Sequence, residues 1–206
     1  KEVTKILFVE DVLSDAELIW KVIERGMIIF DKVLVDNEQD YVAAIGSFRP
    51  DLIISDYSLP QFDGFTALTL KNSLAPDIPF ILVTGSVNEE TAVDIMKAGA
   101  DDYVIKDNLA RLGGAIRSAI AKKDALRKKE AALDALRESE ERFRLAVENS
   151  PVPIMIYNED GKVLMLSKGW THFSGYTITD IPTLGDWTKA AYGSQNGEER
   201  EYINRL

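Results

Sequence analysis

The sequence predicts a doubly wound α/β domain, and three observations carry that prediction. Five short apolar runs, "KILFV", "KVLVD", "DLIIS", "PFILV" and "DYVIK", lie between Lys1 and Lys106. Their centres lack polar alternation, as expected of parallel strands covered on both faces. The segments between them have helical period, so right-handed crossovers would bring each strand back parallel to its neighbours. Finally, every run stops on a polar residue, and ligands of such sheets gather beyond the carboxyl ends of the strands.

Taken in order, the first run ends in Glu10 and Asp11. Ser14 followed by Glu17 reads as a capping box ahead of "LIWKVI", which predicts the first helix. The second run ends in Asp36 and Asn37, which a strand at the sheet edge would leave facing water, with Asn37 able to cap the next helix. The third belongs to "DLIISDYSLPQFDG", residues 51 to 64, where a buried strand delivers a bare carboxylate, Asp56, before a turn through Pro60 and Gly64. The fourth ends in Thr84 and the fifth in Lys106.

From Leu109 to Asn149 there is no proline and apolar residues recur at helical steps, which predicts one long helix. Leu112, Ile116, Ala119, Leu126 and Leu133 follow a heptad-like stripe that Lys123 and Glu130 interrupt. Leu136, Phe143 and Val147 resume the apolar face before Ser150 and Pro151 end it. Beyond lies a second, α+β segment. "IMIYNEDGKVLML" sets two apolar runs around Asp160–Gly161, a pair suited to a tight reversal. "GWTHFSGYT", "LGDWTKAAYG" and "NGEEREYINRL" supply short helical pieces. The organisation expected is therefore 1–121 as the α/β domain, 122–149 as a linker helix continuous with its last helix, and 150–206 as the incomplete α+β segment.

Composition narrows the functional classes. A formal charge of −10 on 206 residues opposes general attraction to nucleic acid. The absence of cysteine removes disulfides, thiolate metal sites and cysteine nucleophiles, and a reducing cytoplasm fits it. No apolar run approaches the roughly 20 residues of a membrane span, so no membrane partner is expected of these residues.

The strand tips carry the chemistry. Two carboxylates about 4 Å apart repel by roughly 4 kcal/mol at an effective dielectric near 20. Glu10, Asp11 and Asp56 gathered in one crevice therefore call for a cation. Mg²⁺ suits best, since it takes one or two carboxylates, keeps waters and completes its shell with a phosphoryl oxygen. A carboxylate beside it can attack phosphorus and form an acyl phosphate. Asp56, on the central strand, is the candidate nucleophile, with Glu10 and Asp11 holding metal and its waters. Lys106 would neutralise a phosphoryl oxygen, and Thr84 would donate a hydrogen bond to another.

Plainer readings stand beside these. Asp56 alone could cap a turn, and Glu10 and Asp11 could be acids favoured by a helix dipole. Tyr103 could be half-buried packing. His172, the sole histidine, lies beside Trp170 and Phe173 and reads as packing or surface, not as a phosphorelay donor.

"VED" at 9–11, Asp56 with Pro60 and Gly64, "VTG" at 83–85 and "YVIK" at 103–106 together resemble the response-regulator receiver family over residues 1 to 120. The resemblance implies a flavodoxin-like sheet of order 2-1-3-4-5, Mg²⁺ dependence, and a phosphoryl group taken from a phosphohistidine on a histidine kinase or phosphotransfer protein. It also implies that Ser58 offers its backbone carbonyl to the metal and that Thr84 and Tyr103 form a switch pair. The family commonly has proline after the lysine, whereas Asp107 follows Lys106 here, which puts the usual cis peptide in question. "ESEERFRLAVENSPVPIMIYNEDGKVLMLSKGW" and "FSGYT" resemble the opening of PAS sensor domains, with Ser167 where such domains often carry asparagine. Since a PAS fold normally finishes with three more long strands, a piece of a longer signalling protein, such as a hybrid sensor kinase, is expected.

The function expected is a phospho-accepting module whose change passes along the 109–149 helix, which would also pair two chains as a homodimer. Two alternatives are a Mg²⁺-dependent phosphatase or hydrolase with an aspartyl intermediate, and a non-phosphorylated dimerisation scaffold. The hydrolase would need a general acid. "DYSLP" has Ser58 where haloacid-dehalogenase-like phosphatases place a second aspartate.

Overall fold

The apolar runs form five parallel strands: β1 (Thr4–Val9), β2 (Phe30–Val35), β3 (Leu52–Asp56), β4 (Phe80–Thr84) and β5 (Asp102–Ile105). They pair in the order β2-β1-β3-β4-β5, every pairing parallel. This is the flavodoxin-like order, with β2 at one edge and β3 in the centre. The computed structural model describes residues 3–60, 62–85 and 89–193. The chain divides into two units, Lys1–Glu130 and Ala131–Leu206.

In the first unit the strand residues alternate between two buried layers because successive side chains point to opposite faces. Leu7, Val9, Ile53, Phe80 and Leu82 pack with Tyr41, Ile45, Leu68 and Ile95 on one face. These come from α2 (Glu38–Ser47), α3 (Gly64–Leu74) and α4 (Glu89–Lys97). Ile6, Phe8, Ile54, Ile81 and Val104 pack with Ile19, Ile23, Leu112 and Ile116 on the other, from α1 (Leu13–Arg25) and α5 (Leu112–Glu148). Both faces being covered explains why the runs lack polar alternation.

Helix starts follow the sequence in part. The side chain of Asn37 accepts the Asp40 amide as expected of a cap, and Asp63 does the same for Thr66 at the head of α3. The capping box at Ser14 does not form. Helix α1 already begins at Leu13, and its N-cap, Val12, makes no side-chain cap. The Val12 amide is taken instead by a Glu10 carboxylate oxygen at 3.1 Å, so the strand-to-helix turn is organised by a site carboxylate.

The long helix also starts later than its periodicity predicts. Residues Lys106–Arg111 form a 3₁₀ turn containing a non-helical Asn108 (φ −129°, ψ 49°), and α5 runs from Leu112 to Glu148. The turn buries Leu109 in the layer that holds Ile6, Phe8 and Val104.

The second unit contains an antiparallel hairpin, β6 (Met155–Tyr157) and β7 (Val163–Leu166), then α6 (Lys168–Ser174) and α7 (Leu184–Tyr192). The reversal at Asp160–Gly161 is real but longer than a two-residue turn, because Tyr157 pairs with Val163. Gly161 takes the left-handed conformation there, φ +78°. Ser167, fully buried, accepts the Ile154 and Trp170 amides at 2.9 and 3.0 Å and donates to the Val152 carbonyl at 2.8 Å. It thereby ties β7, the start of α6 and the segment before β6 together. The helical piece expected in "NGEEREYINRL" lies outside the described residues.

Candidate functional site

Parallel pairing sets the carboxyl ends of β1, β3, β4 and β5 along one edge of the sheet. Asp56 is the last residue of β3 and pairs in register with Val83, while Thr84, the last residue of β4, pairs with Ile105. Lys106 follows directly. Glu10 continues β1 by one residue, its amide donating to the Val35 carbonyl at 3.0 Å. The predicted strand-tip residues therefore converge.

The convergence is tight. Lys106 Nζ lies 3.0 Å from Glu10 Oε2 and 3.0 Å from Asp56 Oδ2. Carboxylate oxygens of Glu10, Asp11 and Asp56 all fall within 4.8 Å of one another. Glu10 and Asp56 are buried, at 3% and 8% exposure, and Asp11 is open to solvent. The other Asp56 oxygen accepts the Tyr57 amide at 2.7 Å, which fixes the carboxylate's rotation.

The electrostatics answer to this crowding. Burial pushes the Glu10 carboxyl above its ordinary value of 4.5, helped by the neighbouring charge of Asp56 and opposed by hydrogen bonds from Lys106 and the Val12 amide. Burial works against the charged form of Lys106, yet hydrogen bonds to Asp15, Glu10 and Asp56 outweigh it and hold the amine above its usual range. The amine is therefore a fixed cation at physiological pH.

Asp15 went unrecognised in the sequence. It lies in the first turn of α1 and sits 2.6 Å from Lys106 Nζ, nearer than either strand-end carboxylate. Its signal was its closeness to Asp11, four residues earlier, in the short stretch that leaves the strand tip and enters the helix.

The other predicted residues take varied places. Thr84 is buried at the end of β4, on the strand between those of Asp56 and Lys106. Ser58 lies exposed in the loop two residues past β3. Tyr103 is half-buried, opposite Leu82 on β5, with the Arg111 guanidinium 5.9 Å from its ring centre. No cis peptide occurs among the described residues, Lys106–Asp107 included, and the amine still reaches both carboxylates. His172 is exposed on α6 in the second unit.

A backbone feature seats the head of α3 against β3. A β-carbon on Gly64 would lie 2.5 Å from the Asp56 carbonyl oxygen and 2.7 Å from Leu82 Cδ1. Glycine therefore lets the head of α3 close against the strand that carries Asp56, and the Gly64 amide donates to the Tyr57 carbonyl at 3.0 Å.

The donor set fits a hard divalent cation. Three carboxylates offer oxygen ligands only, two of them are buried, and a single amine leaves negative charge in surplus. For Mg²⁺ the chemistry and spacing are suitable, with Glu10, Asp11 and Asp56 as the residues that would hold it.

Comparison with known proteins agrees with this architecture. The response regulator receiver domain family matches residues 6–117, and a PAS domain family matches residues 141–203. The regulatory protein LuxO of Vibrio cholerae is 35% identical over 95 residues, covering 46% of this chain and 21% of that protein. The phosphate regulon transcriptional regulatory protein PhoB of Klebsiella pneumoniae is 33% identical over 104 residues, covering 50% of this chain and 44% of its own length. The chain thus spans less than half the length of these two relatives. The signal receiver domain of a Luxo repressor protein from Vibrio parahaemolyticus superposes with a TM-score of 0.55 at 26% identity, covering 63% of this chain and 98% of that domain. A receiver domain protein from Clostridium thermocellum, at TM-score 0.54 and 24% identity over 60% of this chain and 99% of its own, shares the fold.

Proposed function

Because the chain belongs to the response regulator receiver domain family through residues 6–117, we propose that it accepts a phosphoryl group on Asp56 from a phosphohistidine of a histidine kinase or phosphotransfer protein. The observation that carries this reading is the meeting of Lys106 with Glu10 and Asp56, at 3.0 Å each, beside the three-carboxylate cluster at the strand ends.

In the transfer, an oxygen of Asp56 attacks phosphorus as the bond from phosphorus to the donor imidazole breaks. The electron pair of that bond stays on the imidazole nitrogen, which picks up a proton, and the product is an acyl phosphate. Lys106 faces the attacking carboxylate and would pair with a phosphoryl oxygen, and the Thr84 hydroxyl, at the neighbouring strand end, would donate to another. The Tyr57 amide holds Asp56 in one rotation, so attack needs little reordering. Bound by Glu10, Asp11, Asp56 and the backbone carbonyl of Ser58, Mg²⁺ would supply charge neutralisation for the transferred group. Hydrolysis returns the carboxylate when water attacks phosphorus and the bond to Asp56 breaks.

The downstream half of the reading concerns α5. Lys106 opens the 3₁₀ turn that feeds into that helix. Thr84 and Tyr103 would act as the switch pair, altering β5 and the turn, and the change would pass along residues 122–149 toward the PAS-like segment at 150–206. Leu126, Leu133, Leu136 and Phe143 are each about half exposed along the helix, which supports pairing with a second copy of the chain.

Acetyl phosphate with Mg²⁺ tests the chemistry. The unsubstituted chain should take up close to one acid-stable, base-labile phosphoryl group, and Asp56→Asn should take up none. Labelling of that variant at the same stoichiometry would overturn the assignment. Steady release of phosphate from simple phosphomonoesters would favour the hydrolase instead, a reading that Ser58 disfavours because it cannot serve as a carboxylic general acid.

A further inference from the structure

Lys106 has three N–H donors, and the structure uses all three on carboxylates. Two of the partners, Glu10 and Asp56, also belong to the group that can surround a cation; the third, Asp15, does not. Asp15 is also the nearest partner, at 2.6 Å, and the most exposed of the three, with a side chain 38% accessible against 3% for Glu10 and 9% for Asp56.

This division has a consequence for the site. A divalent cation entering the crevice would be held by Glu10 and Asp56, the same two carboxylates that pair with Lys106, and the amine and the cation repel. An amine paired only with those two would have to break both contacts without replacement, or stay and weaken cation binding. With Asp15 beside it, the amine keeps one charge-assisted hydrogen bond outside the cation's set while it gives up the others.

We propose that Asp15 is a positioning residue that draws Lys106 to the margin of the crevice and so sets the affinity of the site for divalent cations. The inference rests on the assignment of Glu10, Asp11 and Asp56 as the cation-binding group, and its test separates the two. The full chain is titrated with MgCl₂ and followed by the amide NMR shifts of residues at the strand ends, a readout of binding that requires no turnover.

Asp15→Asn should weaken Mg²⁺ binding about five- to tenfold, the size expected when one nearby surface charge pair is lost. Asp15→Ala, at an exposed first-turn position, should give the same loss. In a Lys106→Met background, where there is no amine to draw aside, Asp15→Asn should change the affinity less than about twofold, since the pair's coupling is what the double-mutant cycle isolates. Unchanged affinity in both single variants overturns the proposal. An equal loss with and without Lys106 also overturns it, because Asp15 would then act only as bulk charge. Failure of the unsubstituted chain to bind Mg²⁺ would instead strike the assignment of the cation group, and the proposal with it.

Discussion

Glu10 is buried beside a second carboxylate, and its carboxyl is pushed above 4.5 by that burial first and by Asp56 in addition. A group whose folded-state pKa is raised adds stability below its unfolded value and loses it as pH rises through the folded value. The charged form of Glu10 is therefore a strain on the fold at neutral pH, kept for its place in the crevice. Glu10→Gln should stabilise the receiver unit by about 1 kcal/mol at pH 7, the scale of relieving one buried and only partly compensated charge. The gain should shrink as pH falls below 4.5, the ordinary value above which burial has raised the native carboxyl. Chemical denaturation on either side of that value checks this, and an equal gain on both would mean that packing, not charge, is responsible. Glu10, Asp11, Asp56 and Lys106 were legible in the sequence because each terminates or directly follows a recognisable strand, and parallel strands bring such ends together whatever the loops do. Asp15 was not legible in the same way, because its membership depends on where α1 begins. With α1 starting at Leu13, Asp15 is its third residue and reaches the amine, whereas after a Ser14 cap it would be the first.

At the level of elements, strand and helix order followed directly from the apolar runs, whereas the ends of elements did not. The Ser14 box yielded to the Glu10 carboxylate, which takes the Val12 amide. The head of α5 yielded to a 3₁₀ turn that buries Leu109. At the first place a local contact from the strand-end carboxylate, and at the second a tertiary one with the sheet, displaced the helix start that the sequence suggests. The far part of α5 poses a different problem. Its apolar residues keep helical spacing, yet Leu133 and Leu136 are 45% and 55% exposed, and nothing among the described residues covers them. A second chain explains them if their side chains become buried in a paired helix, each then contributing roughly 1 kcal/mol, about half of a full burial. Leu133→Glu combined with Leu136→Glu should weaken self-association at least about tenfold, since every 1.4 kcal/mol is a factor of ten. Helix content should hardly change, because both positions are open in the single chain. Sedimentation equilibrium of the two proteins decides it, and an unsubstituted chain that stays monomeric at every concentration would sink the pairing.

For the molecule as a whole, the question is whether an event at Asp56 can be felt beyond Glu130, where the first unit ends. The physical route starts at Lys106, which is both a partner of Asp56 and the first residue of the turn leading into α5. That turn cannot slide freely. Leu109 and Leu112 are 7% and 0% exposed and pack with Ile6, Phe8 and Val104, so any displacement of the turn's backbone must repack a dense layer. Packed layers favour a few discrete arrangements over continuous deformation, which is what a transmitted switch needs. Spatial continuity alone does not establish coupling, and the deciding quantity is a change at one site on loading the other. With Mg²⁺ and beryllium fluoride as the phosphoryl mimic, amide hydrogen exchange along α5 should change at least about threefold, a shift of about 0.6 kcal/mol or more in local opening. The change should extend past Glu130 toward Glu148 and vanish in Asp56→Asn. If it stops within the first unit while Asp56 is loaded, the phosphoryl chemistry survives but the helix does not carry its signal.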